Sequence, residues 1–155
     1  MRKNAVLINF GYGNFNRLIF FLKRLGYEVS IKNIDDSFDS ADLLLIPGIG
    51  NSNCFNNINQ KSDIYKYILA HEKHQNTILG ICLGMHLMCN LNKEANFSMR
   101  GFNIFPYNVH KLTPEKNYRI PRIGWYETYF NGKTKLENLK LYYSHSFYVD
   151  NKKMR

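Results

Sequence analysis

Segments of strand-forming residues alternate with helix-forming segments along the first part of this chain, and this alternation is its strongest constraint on the fold. Four β-strands are predicted, at Ala5–Phe10, Tyr27–Lys32, Leu43–Ile46 and Thr77–Ile81. Apolar residues at helical spacing predict three helices, over Phe15–Leu25, Ser62–His71 and Leu83–Leu91. Strands that alternate with helices form βαβ units. The sequence therefore predicts an α/β fold, a three-layer, open, mostly parallel sheet flanked by helices.

Length and composition exclude several classes of protein. The 155 residues fit one domain, and no linker or repeat marks a boundary. The formal charge of +9 is spread along the chain, as a codon bias would produce, so nucleic-acid binding is not expected. No apolar run is long enough to span a membrane, and the first ten residues do not predict a signal peptide. Three cysteines without a C-x-x-C pair predict neither disulfides nor a metal site. We expect a cytoplasmic protein without a cofactor.

The string Gly80-Ile81-Cys82-Leu83-Gly84 lies where a predicted strand meets a predicted helix. A G-x-nucleophile-x-G string in this context forms a sharp turn that exposes the nucleophile. The start of the helix favours a thiolate, and the backbone N–H of Leu83 can donate to an oxyanion. The alternative is that Cys82 is a buried, inert small residue.

A second glycine-containing string, Pro47-Gly48-Ile49-Gly50-Asn51, follows the preceding predicted strand. Backbone N–H groups at the carboxyl end of a strand face the ligand crevice of a parallel sheet. This string can complete an oxyanion hole with Leu83. The alternative is a tight turn that requires glycine for its backbone angles alone.

Five strings, in order along the chain, together resemble motifs of the class I (triad) glutamine amidotransferases. They are N-F-G-Y-G-N-F at Asn9–Phe15, I-P-G-I-G at Ile46–Gly50, G-I-C-L-G-M at Gly80–Met85, P-R-I-G-W at Pro121–Trp125 and Y-Y-S-H-S-F-Y at Tyr142–Tyr148. The strings are most similar to those of the glutaminase subunit of imidazole glycerol phosphate synthase. The resemblance implies a flavodoxin-like fold and one amidotransferase domain over residues 1–155, truncated before the family's last strands and helix.

The resemblance also implies an activity and its residues. In this family a cysteine attacks the side-chain amide of glutamine, forms a thioester and releases ammonia and then glutamate. Ammonia passes to a TIM-barrel synthase or cyclase subunit within a heterodimer. The implied residues are the nucleophile Cys82, the oxyanion-hole residues Ile49, Gly50 and Leu83, the substrate-binding residues Gly48, Gly84 and His86, and the partner-interface residues Asn14, Trp125, Tyr143 and His145.

Four positions depart from the family's motifs. The family has Asp, Gln, His and Asn where this chain has Asn9, His86, Arg122 and Tyr126. His86 replaces a residue that contacts the substrate glutamine, and it adds a titratable ring one helical turn from Cys82. It can alter glutamine affinity, act as a base, or be only a partly buried helix residue.

No histidine of the chain matches the His-x-Glu pair that supplies the family's catalytic base. The five candidates are His71, His74, His86, His110 and His145, and none is followed two positions later by glutamate. We expect a fragment of an active enzyme, a degenerate glutaminase, or a site that a second chain completes, and we expect residues 1–155 alone to be inactive.

The leading function is a histidine-biosynthesis glutaminase subunit. The alternatives are a paralogous subunit for surface-sugar (lipopolysaccharide) biosynthesis and an inactive interaction protein.

Overall fold

The computed structural model describes residues 3–11, 13–48, 58, 62–92, 99–114, 119–129 and 139–150. The chain divides into two compact units, the first formed by Met1–Val109 and Val149–Arg155 and the second by His110–Tyr148. The helices of the described part are α1 (Phe15–Arg24), α2 (Asp63–Lys73) and α3 (Leu83–Met88). The strands of the described part are β1 (Lys3–Asn9), β2 (Tyr27–Asn33), β3 (Leu43–Ile46), β4 (Thr77–Gly80), β5 (Cys89–Asn92), β6 (Met99–Arg100), β7 (Phe105–Lys111), β8 (Arg122–Thr128), β9 (Leu139–His145) and β10 (Phe147–Val149).

The predicted parallel sheet is present in the first unit. Its strand order is β2-β1-β3-β4, and all three pairings are parallel. The register places Leu7 beside both Ile31 and Leu45, and Leu45 beside Leu79. The four strands predicted from the sequence and the α/β fold class are therefore confirmed.

Apolar residues on alternate positions of the central strands build two separate cores, one on each face of the sheet. On one face Ala5, Leu7, Leu43 and Leu45 pack with Leu22 of α1. On the other face lie Val6, Ile8, Leu44 and Ile46, packed with residues of α2 and α3 that include Ile64, Ile68, Leu83 and Leu87. Successive side chains of a strand point to opposite faces, so β1 and β3 are buried on both. These helix, sheet and helix layers form the predicted three-layer arrangement.

Helix α1 begins at Phe15, as the sequence predicts, and ends at Arg24, one residue before the predicted end. Asn14 lies at its N-cap position, although its side chain makes no capping hydrogen bond. Gly26 follows the helix with φ of +86°, and its N–H donates to the carbonyl of Lys23 at 3.0 Å. A residue just after a helix often adopts this left-handed conformation, which glycine reaches without steric cost.

Helix α3 is shorter than predicted. It ends at Met88, and Cys89 begins β5, whereas the sequence predicted a helix through Leu91. The carbonyl of Leu87 accepts a hydrogen bond from Phe102 N–H at 2.7 Å, and Gly101 N–H donates to Asn90. Partners distant in sequence therefore replace the next helical bonds, and helix propensity alone could not show this.

The later strands form two further sheets. One has the order β10-β7-β5-β6, with β5 parallel to β7 and antiparallel to β6. The other is an antiparallel pair of β8 and β9, in which Arg122 lies opposite His145 and Thr128 lies opposite Leu139. The sequence left Tyr107–Lys111, Arg119–Tyr129 and Leu141–Val149 as strands or irregular segments, and β7 to β10 lie in or next to them. Strands β5 and β6 were not predicted.

No helix in the described part of the chain is long and apolar enough to cross a membrane.

Leu44→Ala should destabilise the first unit far more than Leu79→Ala. Leu44 is fully buried between the sheet and α2, while Leu79 on the neighbouring strand is 45% exposed. We expect a loss of about 2–5 kcal/mol in the free energy of unfolding for Leu44→Ala, and less than about 1 kcal/mol for Leu79→Ala. Urea denaturation followed by circular dichroism measures both. Equal losses would contradict the core described above.

Candidate active site

Cys82 lies on a strained turn between β4 and α3. Its backbone has φ of +52° and ψ of −116°, and its side chain is exposed. A residue with a side chain pays about 1–3 kcal/mol for such a conformation, which persists only when neighbouring structure enforces it. The N–H of Gly84 donates to Ile81 O at 2.9 Å, and the N–H of Met85 donates to Cys82 O at 3.0 Å. The turn thus has the geometry expected of a nucleophile elbow.

Three glycines allow the backbone to approach closely around this turn. A Cβ on Gly48 would lie 2.7 Å from Leu83 Cβ and 2.8 Å from Gly84 N. A Cβ on Gly84 would overlap the carbonyl oxygen of Ile46, and one on Gly80 would lie 2.8 Å from Met85 Cα. Since real Cβ atoms do not make such contacts, glycine is required at all three positions. The structure therefore brings Gly48, at the end of β3, against the turn that carries Cys82.

The N–H of Leu83 is available at the start of α3. Among the described residues, the hydrogen bonds of the turn use the N–H groups of Ile81, Gly84, Met85 and His86, and none uses that of Leu83. Ile49 and Gly50, the other predicted oxyanion-hole residues, lie outside the described residues. The structure thus places one of the three predicted oxyanion donors.

His86 lies within α3, four residues after Cys82, and is only 6% exposed. Its backbone N–H donates to the carbonyl of Cys82 at 3.2 Å. The structure thus attaches His86 to the turn and buries its ring, whereas the Cys82 side chain is exposed.

The histidines of α2 lie away from this turn. His71 Nε2–H donates to the carbonyl of Thr77 at 3.2 Å, so His71 sits at the start of β4, while Cys82 follows its end. Burial is the main reason that the pKa of His71 is lower than usual. His74 caps the end of α2 and is exposed. Neither is placed to take a proton from Cys82.

The β8–β9 pair of the second unit carries three of the predicted interface residues. Trp125 is 69% exposed and meets Tyr142 edge to face, with ring centroids 5.6 Å apart. Tyr143 and His145 belong to the other face of the pair, and His145 Nδ1–H donates to Phe147 O at 2.7 Å. An exposed aromatic pair of this kind is typical of a protein-binding surface.

Asn14, the fourth predicted interface residue, belongs to the first unit. It lines an open groove with Asn16, Arg17, Phe20 and Phe21. Phe20 and Phe21 are each 55% exposed, and the guanidinium of Arg24 lies over the Phe20 ring. The sequence analysis did not predict this exposed apolar surface on α1.

Cys89, the second cysteine of this region, is fully buried. Its thiol lies 3.5 Å from the carbonyl of Met85. Burial, with a smaller contribution from Asp150, raises the pKa of Cys89 to about 11. The thiols of Cys82 and Cys89 therefore lie in opposite environments, and of these two Cys82 is the one exposed to a substrate.

Comparison with known proteins agrees with this geometry. The family description "Glutamine amidotransferase class-I" matches residues 6–154 of the chain. The chain belongs to the class-I glutamine amidotransferase family. The resemblance drawn from the five sequence strings is thereby confirmed.

Two similar amidotransferase relatives carry the same name. The chain is 30% identical over 151 residues to imidazole glycerol phosphate synthase subunit HisH 2 of Methanococcus maripaludis, covering 92% of this chain and 73% of the relative. It is 31% identical over 152 residues to subunit HisH of Bacteroides fragilis (strain YCH46), covering 94% and 74%. Among solved structures, PurLQS from Thermotoga maritima matches with a TM-score of 0.65 at 19% identity, covering 95% of this chain and 68% of that chain. This last match supports the amidotransferase fold alone.

A side-chain network explains one departure from the amidotransferase motifs. Asn33 Nδ2 donates to Asp36 Oδ2 at 3.1 Å, which leaves its Oδ1 facing residue 9. Asn9 Nδ2 donates to that Oδ1 at 2.9 Å, and Asn9 Oδ1 accepts from Gly11 N–H at 2.8 Å. Aspartate lacks the donor that Asn33 requires. The sequence alone did not reveal this pairing, because Asn9 and Asn33 lie on different strands.

Two other departures contact each other. The guanidinium of Arg122 lies 3.9 Å from the ring centroid of Tyr126 and 5.4 Å from that of Tyr143. Gly124, with φ of +141°, lies between Arg122 and Tyr126 along β8. The two departures from the family pattern are therefore one stacked pair, which no single position in the sequence reveals.

Iodoacetamide at pH 8 should alkylate Cys82 much faster than Cys89. At a pKa of about 11, only about one Cys89 thiol in a thousand is ionised at pH 8, and its burial slows access further. We expect at least about a hundredfold difference in rate, measured by peptide mass spectrometry. The third cysteine, Cys54, lies outside the described residues and is replaced by serine in this experiment. Similar rates at both thiols would contradict the burial described here.

Gly84→Ala should destabilise the first unit more than Gly11→Ala. The added methyl at position 84 collides with the backbone of Ile46, whereas nothing lies within 4 Å of a Cβ on Gly11, whose φ is +85°. We expect a loss of about 3 kcal/mol at position 84, and about 1 kcal/mol at position 11 from backbone strain alone. Thermal and urea unfolding measure the difference. A Gly84→Ala protein as stable as the wild type would show that the two segments are not in contact.

Proposed function

We propose that this amidotransferase is a glutaminase subunit in which Cys82 attacks the side-chain amide of glutamine. The observation that carries the proposal is the exposed Cys82 on a strained strand-to-helix turn, in a chain of this family. A buried cysteine in a relaxed backbone would have favoured the inert alternative.

The proposed reaction has two steps, formation of a thioester and its hydrolysis. The Cys82 thiolate adds to the amide carbon, and the carbonyl oxygen becomes an oxyanion. The C–N bond then breaks, the nitrogen takes a proton, and ammonia leaves behind a γ-glutamyl thioester. Water adds to the thioester, the C–S bond breaks, and glutamate leaves with the thiol restored.

Backbone groups around the turn are proposed to stabilise the oxyanion. The N–H of Leu83 is available at this point, and Gly48 packs against Leu83. We assign the remaining donors to Ile49 and Gly50, which follow Gly48 directly. A preorganised donor of this kind is worth roughly 3–4 kcal/mol of transition-state stabilisation.

The glutamine side chain is proposed to contact Gly48, Gly84 and His86. Gly48 and Gly84 lie against each other, so their backbones can form the floor of the substrate site. His86 is attached to the turn through its N–H and stands where the family has a glutamine. No metal or cofactor is required by this chemistry.

The proton acceptor for Cys82 is not identified in this chain. None of the five histidines forms a His-x-Glu pair. A thiol without a base or cationic neighbour is weakly nucleophilic at neutral pH. We therefore propose that residues 1–155 bind glutamine at Cys82 but do not turn it over efficiently by themselves.

Ammonia is proposed to pass to a synthase subunit in a cytoplasmic heterodimer. The relatives named imidazole glycerol phosphate synthase subunit HisH favour that synthase as the partner complex. A cyclase partner with a TIM-barrel fold, and a role in histidine biosynthesis, are what the resemblance of the five sequence strings implies. The exposed Trp125 and the groove beside Asn14 are proposed partner surfaces, together with Tyr143 and His145.

The stacked Arg122 and Tyr126 favour a second candidate function. Both residues differ from the family pattern and they contact each other, as expected when one surface has adapted to a different partner. A paralogous subunit that supplies ammonia for surface-sugar biosynthesis fits this observation. The missing His-x-Glu pair favours the remaining alternative, an inactive protein that only docks a partner.

A glutamine analogue tests the proposed site directly. The electrophilic analogue 6-diazo-5-oxo-L-norleucine should label Cys82 covalently, and free glutamine should slow the labelling. Cys82→Ser should lose the label, whereas Cys54→Ser should keep it. Mass spectrometry measures the adduct. If glutamine gives no protection while iodoacetamide still reacts, the interaction-protein alternative is favoured instead.

Ammonia release tests the proposed lack of turnover. The same proteins are assayed with glutamine and a coupled glutamate dehydrogenase reaction. We expect no release above that of Cys82→Ala. Glutamine hydrolysis by residues 1–155 that Cys82→Ala abolishes would show that the chain contains its own base.

A further inference from the structure

The outer edge of β2 is open within the described residues. There β2 is the last strand of its sheet and pairs with β1 on one side. It is seven residues long, and Ile31 is 43% exposed. A long edge strand presents backbone N–H and C=O groups on which another strand can pair.

Hydrogen bonds at the end of β2 show which residues direct their backbone outward. The N–H of Asn33 donates to Asp36 Oδ2 at 2.7 Å, and its carbonyl accepts from Asp36 N–H at 3.2 Å. The backbone of Asn33 therefore points away from β1. Since the direction alternates along a strand, Val29 and Ile31 also point outward, and Ser30 points toward β1.

Residues at equal distances on either side of Ser30 in β2 are matched, with oppositely charged residues two positions away and apolar residues next to it. Glu28 precedes Ser30 by two positions, and Lys32 follows it by two. Val29 and Ile31 flank it directly. An antiparallel copy of the same strand, centred on Ser30, therefore presents Lys32 to Glu28 and Ile31 to Val29.

We propose that β2 pairs with β2 of a second copy of this chain in that antiparallel register. The outward-pointing Val29 and Ile31 become hydrogen-bonded pairs, each exchanging two backbone bonds with the other copy. Glu28 and Lys32 fall at the intervening pairs, where opposing side chains are closest and opposite charges are favourable.

The alternation of β2 excludes registers shifted by one residue. A slip of one residue puts an outward-pointing backbone opposite an inward-pointing one and exchanges the two faces. A parallel arrangement would place Glu28 beside Glu28 and Lys32 beside Lys32. Among the antiparallel registers that keep the backbone pairing, the one centred on Ser30 places Glu28 opposite Lys32.

The charges around Lys32 agree with this interface. Lys32 Nζ lies 3.7 Å from Asp39 Oδ2 of its own chain, and the Asp39 side chain is 89% exposed. Glu28 from the second copy adds another carboxylate beside Lys32. The formal charge of +9 on each chain opposes association. One strand pair is also smaller than a standard interface, so we expect weak and reversible association.

Charge reversal tests the interface through four proteins. Glu28→Lys puts two lysine side chains opposite each other across the interface, and Lys32→Glu puts two glutamates opposite each other. Each single variant should therefore weaken self-association at least about tenfold. The double variant restores opposite charges and should associate like the wild type. An equimolar mixture of the two single variants should form a heterodimer. Sedimentation equilibrium between about 10 µM and 1 mM measures all of these.

Matched controls keep the charge change and move it to another element. Glu72 and Lys73 are exposed residues of α2. The variants Glu72→Lys and Lys73→Glu should therefore leave the association unchanged. Circular dichroism establishes that every variant is folded.

Amide hydrogen exchange tests the wild-type protein without any substitution. Exchange at Val29 and Ile31 should slow as the concentration rises from about 10 µM to 1 mM, and that at α2 should not. A wild type that stays monomeric at about 1 mM would overturn the proposal, as would single variants that associate as strongly as the wild type or fail to associate when mixed. These readouts are independent of Cys82 and of glutamine.

Discussion

The contact between the end of β3 and the start of α3 determines the candidate site. Gly84 approaches the carbonyl of Ile46 so closely that no side chain fits between them, and Gly48 approaches Leu83 in the same way. The left-handed backbone of Cys82 is held between these contacts and the hydrogen bonds of the turn. An exposed thiol on a strained backbone is thus maintained by backbone packing. The apolar cores on both faces of the sheet keep β3 in place for that contact.

Sequence patterns predicted the first unit well because its signals are local. Continuous apolar residues in β3, the amphipathic spacing in α1 and the glycines around Cys82 each depend on a few neighbouring residues. The end of α3 was wrong, since the bonds that terminate it come from Gly101 and Phe102, more than ten residues away. Strand β5, which begins where that helix was expected to continue, was missed for the same reason.

The candidate site was predicted only as far as local motifs extend. Cys82 and Leu83 lie at the predicted strand-to-helix turn, because one short string specifies that turn. The pairing of Asn9 with Asn33, and the stacking of Arg122 on Tyr126, join residues whose relation appears only after folding. Departures from a family motif are therefore best interpreted in pairs, since a contact can account for two changes that seem unrelated along the chain.

The position of the candidate site depends on which residues of β3 face each of the two cores. Leu43 and Leu45 face α1, whereas Leu44 and Ile46 face α2 and α3. Loss of one residue within this strand would exchange the two sets and also draw Gly48 away from Leu83. Insertions and deletions within β3 are therefore restricted by the position that Gly48 must occupy against Leu83. The number of residues in β3 sets where Gly48 meets Leu83, so we expect the length of this strand to be retained wherever the turn that carries Cys82 is retained.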